Sequence, residues 1–213
     1  ALASMDIDML GGNYMAWRGD NKRPKKAFVG PANQIITNDS LQFIKNIVEN
    51  NSNHVWNKIY KRSVIKNIGF QEGKKFEDIY YMTDLSKVIK NFAFIDYPLI
   101  DYRERQGSIV QTLDKKYVDD YLGAFLYRVN HLKANLGEDP SFQNYLHYKT
   151  YNRYAGLVKK LKDNQQLDML NYLKDHFNIK FDHIYRCIGQ QIGWIRYQKL
   201  GFKHRQTEKI LSQ

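Results

Sequence analysis

The sequence predicts an α/β layer over residues 1–112 and an all-helical region over residues 113–213. Three observations carry this. Up to about Gln111, short apolar runs bounded by turn residues alternate with segments of helical spacing. From Lys116 to about Gln206 only helical spacing recurs. Hydrophobic residues make up 43% and charged residues 26% of the 213, the balance of a chain that buries a core without staples.

The elements follow in order. Ile7 to Trp17 is apolar, contains Gly11-Gly12, and reads as a buried strand, with a polar turn expected over Arg18 to Lys26. A chain that opens inside a core strand is expected to be a fragment of something longer. Asn38-Asp39-Ser40 ahead of Leu41, Phe43, Ile44, Ile47 and Val48 is a capped helix start. Val55 to Ile68 reads as a turn or strand leading into a short helix, and Gly69 and Gly73 flank a turn. Phe76-Glu77-Asp78 opens a second helix, expected to reach about Lys90. Phe92 to Asp96 and Leu99 to Arg105 read as two short strands separated by Pro98. In the helical region, Tyr117, Tyr121, Phe125 and Val129 recur every four residues, and Glu138-Asp139-Pro140 breaks that helix and starts the next. Helices are expected over Phe142 to Lys162 and Gln166 to His176, with a break from Asn178 to about Asp182. A last helix is expected from about His183.

Composition narrows the chemistry. The single cysteine, Cys187, excludes an intrachain disulfide and a cysteine-rich zinc site, and the six histidines show no metal-ligand spacing. No run reaches the roughly 18 apolar residues of a spanning helix, and no signal peptide is visible, so a cytoplasmic, non-integral protein is expected. Lys and Arg exceed Asp and Glu by 33 to 22, a net charge of +11 that favours anionic partners without choosing among them. There is no Gly-rich phosphate loop, nucleophile elbow or metalloprotease helix.

Two acidic pairs invite comparison. Asp6-Ile7-Asp8 has a metal-motif look, because carboxylates two apart on a strand point the same way; solvated acids at a strand entrance are the plainer reading. Glu77-Asp78 sits at a helix start, where acids commonly satisfy free N–H groups. Its neighbourhood adds Trp56-Asn57-Lys58 upstream and Tyr102-Arg103-Glu104-Arg105 downstream. An acid, an aromatic platform and paired arginines form the inventory of a site that deprotonates a hydroxyl and holds an anionic leaving group.

The ordered set Trp56-Asn57-Lys58-Ile59-Tyr60, Phe70 to Asp78, Ile95-Asp96-Tyr97-Pro98-Leu99 and Tyr102 to Ile109 resembles the bacterial family 2 glycosyltransferases. The likeness covers about residues 5 to 110. It implies an incomplete GT-A-like domain, the acceptor-side half, followed by a helical tail. It implies inverting transfer of a sugar from a nucleotide-diphosphate sugar donor to a polysaccharide or lipid-linked acceptor in surface-glycan synthesis. Asp78 corresponds to the family's catalytic base, and Glu77 would orient the acceptor or its loop. Arg103, Arg105 and Ser108 fall on the stretch near the diphosphate, Trp56 on an aromatic position near the acceptor, and Lys58 close by. The nucleotide-binding half is missing. The divalent metal (Mg or Mn) expected in the complete enzyme has no ligands in this chain, and Asp6-Ile7-Asp8 falls after the family's metal motif. The fragment alone is expected to be inactive.

Beyond the likeness, Tyr145, Tyr148, Tyr151 and Tyr154 spread over half a helix circumference, as core packing or as a sugar-stacking stripe. Ile184, Ile188, Ile192 and Ile195, with Trp194, Tyr197 and a basic flank, compose an interfacial helix. Peripheral contact of residues 183–213 with the inner face of the cell membrane is therefore expected, against the alternative of a helix docked by its isoleucines. The rival to an enzyme is a non-catalytic basic module for nucleic acid or anionic polymer. The enzyme reading expects no nucleic acid.

Overall fold

The computed structural model describes residues 6–27, 33–103, 112–135 and 139–213. The chain divides into two compact units, one of residues 1–73 and 77–108, the other of 74–76 and 109–213. The fold is mixed α/β, with its carboxy-terminal region mostly helical.

In the first unit, β1 (Met9–Arg18) and β5 (Phe92–Arg103) run parallel at the centre of a mixed sheet. β2 (Asn21–Lys25) and β4 (Lys58–Tyr60) pair antiparallel with the two halves of β1, and β3 (Ile35–Ile36) pairs with β5. Gly11 and Gly12 permit the central pairing. A Cβ on Gly11 would lie 2.5 Å from the Phe94 ring, and one on Gly12 would lie 2.9 Å from the Tyr97 carbonyl oxygen. Helices α1 (Ser40–Asn50), α2 (Arg62–Ile65) and α3 (Glu77–Leu85) complete the unit. The Asp39 carboxylate caps α1, accepting from the Gln42 amide at 2.7 Å, and Phe43 meets Phe92 edge-on in the core.

Three expectations are corrected here. The segment Arg18 to Lys26 is a hairpin, not a turn alone. Gly19, at φ 59°, starts the two-residue connection to β2, and positive φ there matches the right-handed twist of the strands. The polar strand carries no alternation to reveal it, and Pro24 lies on a strand at the end of the sheet order. The two strands expected around Pro98 are one. β5 carries extra residues opposite Gly12 and Asn13, and Pro98, which lacks an N–H, sits at that irregularity. Asn13 fastens it by donating to Asp96 at 2.7 Å. Helix α3 ends at Leu85, not near Lys90. The chain then tightens into bonds from the Ser86, Lys87 and Val88 amides to carbonyls three residues back.

The second unit contains α4 (Lys115–Asn135), α5 (Pro140–Asp163), α6 (Leu167–Arg186) and α7 (Trp194–Leu211). Asp139 caps α5 and Pro140 occupies its first turn. The expected break at Asn178 to Asp182 is absent. Leu170, Leu173, Phe177, Phe181 and Ile184 keep one face of α6 buried, and the Tyr154 hydroxyl donates to the Asn178 side chain. The break falls at Gly189 to Gly193 instead. Asn144 grips Gly189 there, accepting from its N–H at 2.8 Å and donating to its carbonyl, and Gly193 adopts φ 94°. The tyrosine run divides. Tyr151 and Tyr154 are core, Tyr154 stacking on Phe181 at 4.4 Å, while Tyr145 and Tyr148 are only partly buried.

Lys74–Phe76 belongs to this helical unit. Asp120, whose side chain is 3% exposed, accepts from the Lys75 N–H at 2.9 Å and pairs with Lys74 and Lys116. Burial works to raise its carboxyl, but the bonds from Lys116, Lys75 and Lys74 outweigh burial and hold it below the usual range. Phe76, at φ 61°, a backbone region bulky residues avoid, is held edge-on by Tyr117 and Tyr121.

Candidate active site

The site lies in the first unit, on the segment that leaves α1. Asn51 ends that helix in the left-handed conformation, and the Ser52 N–H returns to the Ile47 carbonyl at 3.0 Å, a C-cap that turns the chain towards β4. Asn57, fully buried, then holds β1. Its side chain donates to the Gly12 carbonyl at 2.7 Å, and its own carbonyl accepts from the Gly12 N–H at 3.1 Å.

Lys58 faces inward. Its ammonium donates to the Ser52 carbonyl and the Asn57 side-chain oxygen, both at 3.0 Å, and to the Ser52 hydroxyl and the His54 carbonyl. One buried cation thus locks residues 52–57. Burial pushes Lys58 down to about 7, and the negative charge of Asp78 acts the other way.

The locked segment presents an aromatic group. Trp56 stacks on Tyr102 at 4.8 Å and 11°, and on His54 at 4.8 Å and 26°. Tyr14 meets all three edge-on. Burial, and then the charge of Lys58, push His54 down to about 4, so its ring is neutral near pH 7. With Trp56 occupied by two ring partners, the group's exposed aromatic surface belongs chiefly to Tyr102, 41% exposed. Such a surface suits the C–H face of a sugar ring.

Glu77 and Asp78 occupy the first turn of α3, where the helix dipole favours carboxylates. Glu77 is exposed, and Asp78 is half-buried. Arg103 ends β5 aligned with Trp17, and strand alternation puts it on the sheet face opposite Tyr102. That same face carries the Lys22–Asp101 ion pair, with the Lys22 ammonium 5.0 Å from the Trp17 ring centroid. The structure therefore brings Trp56 and Lys58 together, places Asp78 within the electrostatic reach of Lys58, and leaves Arg103 on the other face. Arg105 and Ser108 lie outside the described residues.

The two acids of the Asp6-Ile7-Asp8 run have partners of their own. Asp8 accepts from the Lys90 and Asn91 amides, both at 2.9 Å, and Asp6 pairs with Lys61, so both acids of Asp6-Ile7-Asp8 are engaged in holding the chain. Among the described residues no three carboxylate, histidine or cysteine side chains are grouped to hold a metal ion. Sequence reasoning missed Tyr14, His54, Ser52 and Asn57 as parts of the site. The alternation of His54 with Trp56 was the available signal.

No protein-family model matches the chain, and comparison with curated proteins gives no match either.

Proposed function

We propose that this chain is the acceptor-side part of an inverting family 2 glycosyltransferase. Asp78 is the base. Its carboxylate takes the proton of an acceptor hydroxyl as that oxygen attacks the anomeric carbon of a nucleotide-diphosphate sugar; the bond to the diphosphate breaks, and the configuration inverts. Glu77 orients the acceptor from the exposed side of the same turn. Tyr102, backed by Trp56 and the Lys58-locked segment, seats a sugar of the acceptor. Arg105 and Ser108 serve the diphosphate, and any metal ligands of the complete enzyme lie outside these residues.

The observation that carries the reading is the half-buried acid at the start of α3, acted on by the buried Lys58 that also fixes the aromatic segment. The test is Asp78→Asn in the chain joined to its donor-binding part. Turnover should fall by about 10²–10⁴-fold with acceptor affinity and fold retained, since an amide cannot take the proton. Near-normal transfer would remove Asp78 as base.

The acceptor is a glycan or lipid-linked glycan, used at the inner face of the cell membrane. Among the described residues no helix is long and apolar enough to cross a membrane. The isoleucine face expected to meet lipid is turned inward: Ile184, Ile188 and Ile192 are buried in the helical core. The exposed apolar groups of α7 are Trp194, Ile195 and Phe202, flanked by Arg196, Lys199 and Arg205. Peripheral contact is proposed through these side chains.

A further inference from the structure

Helix α5 carries Tyr145, Tyr148, Lys149, Asn152 and Arg153 on one face, at spacings of three and four residues. With Arg196 of α7 they line a cleft of about 340 Å³. Among the described residues no carboxylate lines it. The Tyr145 ring orients two of its cations, with the Lys149 ammonium 5.6 Å and the Arg196 guanidinium 5.8 Å from its centroid. Lys203, two turns beyond Arg196, donates to the Asn152 side-chain oxygen at the cleft wall. Burial lowers the Lys203 pKa, so a cation there is partly desolvated.

Two exposed cations outside the cleft are paired, Lys159 with Asp163 and Arg186 with Asp182. Among the described residues no carboxylate pairs with Arg153, Arg196 or Lys203. Two arginines at one concavity whose described lining holds no acid, beside the Tyr148 side chain, match one ligand chemistry. A guanidinium presents parallel N–H groups to two oxygens of a phosphate, and the low local dielectric strengthens the contact. The volume takes one phosphate with one sugar ring, not a tract of polymer.

We propose that the cleft between α5 and α7 is a binding site for a phosphate ester, either on a soluble sugar phosphate or in a lipid headgroup. The site is built from the helical unit alone and stands whatever the role of Asp78.

The test titrates the full chain with glucose 1-phosphate, read by amide chemical shifts, and with vesicles of phosphatidylglycerol or phosphatidylcholine, read by flotation. Saturable shifts confined to residues 145–153 and 196–203 are expected, weakening as salt rises. Arg196→Gln and Arg153→Gln should each weaken binding by about tenfold or more, while Lys159→Gln, on the same helix outside the cleft, leaves it unchanged. Arg196→Lys keeps the charge but loses the fork, and should bind between the two. Saturable binding of glucose 1-phosphate identifies a soluble source. Binding only to phosphatidylglycerol vesicles, lost in the same arginine variants, identifies a headgroup. Shifts spread over all basic surfaces, or arginine variants that bind like the parent with their circular dichroism unchanged, would overturn the proposal.

Discussion

The sheet unit buries polar groups that hold backbone, whereas the helical unit builds its core chiefly from rings and aliphatic side chains. Around β1 and β4, Asp8, Asn13, Ser52, Asn57 and Lys58 are all buried, and each is bonded to main chain or to another of the set. In the helical unit Tyr151, Tyr154, Leu157, Leu161, Phe177 and Phe181 fill the interior; of its buried polar groups, Asp120 anchors Lys75 and Asn144 anchors Gly189, and Arg128, Thr150 and Thr207 are buried as well. A polar interior is costly unless every group is paired, but it fixes positions to within a hydrogen bond. That is the property a reacting centre needs.

The sharpest break in this contrast should come from Asp120→Ala. It leaves the Lys75 N–H without this acceptor and removes the carboxylate that Lys74 and Lys116 share, at a cost of about 1–3 kcal/mol. Hydrogen exchange should show protection lost across α4–α7 while the amides between β1 and β5 keep theirs. Equal loss in both units would merge them into one cooperative body.

Next in size is a pH effect confined to the sheet unit. His54 has a folded pKa of about 4 against an ordinary 6.5. Between those values the unfolded chain binds the extra proton, so stability is present in full above pH 6.5 and is lost as pH falls towards 4, by at most about 3 kcal/mol. Denaturant midpoints at pH 7 and pH 4.5 should therefore diverge, and the His54→Gln variant should lose less over that interval. A parent and variant with the same pH slope would remove His54 as the cause.

A pair of glycines sharpens the comparison further. Gly11→Ala drives a methyl into the Phe94 ring and should cost about 1–3 kcal/mol. Gly156→Ala, on the exposed face of α5 with nothing within 4 Å of its new Cβ, should gain about 0.5–1 kcal/mol. Thermal melts of the two variants should move in opposite directions.

The smallest expected effect is at the membrane. Phosphatidylglycerol vesicles should retain the chain at low salt, with roughly 1 kcal/mol from each basic residue of α7 that faces them. Trp194→Ala should weaken retention, and Arg196→Gln should weaken it by the cleft as well. A chain that stays in the soluble fraction would end the proposed lipid contact.

How much of this was legible depended on whether the determining contacts are local. Helix α1 was readable because its cap, Asp39, and its apolar spacing lie within a dozen residues. The start of α5 was readable from Asp139-Pro140 for the same reason. Strand β2 was not, because Asn21–Lys25 shows nothing apolar; backbone pairing to β1 makes it a strand. The extent of α6 was misjudged because Asn178 reads as a breaker until Tyr154 supplies it a partner from another helix. At the site, the motif order pointed to Trp56, Lys58 and Asp78. It could not show that Trp56 stacks on Tyr102, which depends on the parallel register of β1 with β5, nor that two of the four acceptors of Lys58 are backbone carbonyls, which leave no trace in residue type. The same register puts Arg103 on the other face.

If the proposed transfer takes place, the Lys58-locked segment and Asp78 act in it as one unit. A double-mutant cycle on turnover tests this most directly, with Lys58→Met, Asp78→Asn and the double variant in the chain joined to the donor-binding part proposed for it, each confirmed folded by circular dichroism. Groups that act together are non-additive. The account predicts that each single variant loses most of the turnover and that the double variant is no slower than Asp78→Asn alone. Losses that multiply, or a Lys58→Met enzyme that turns over normally, would contradict it.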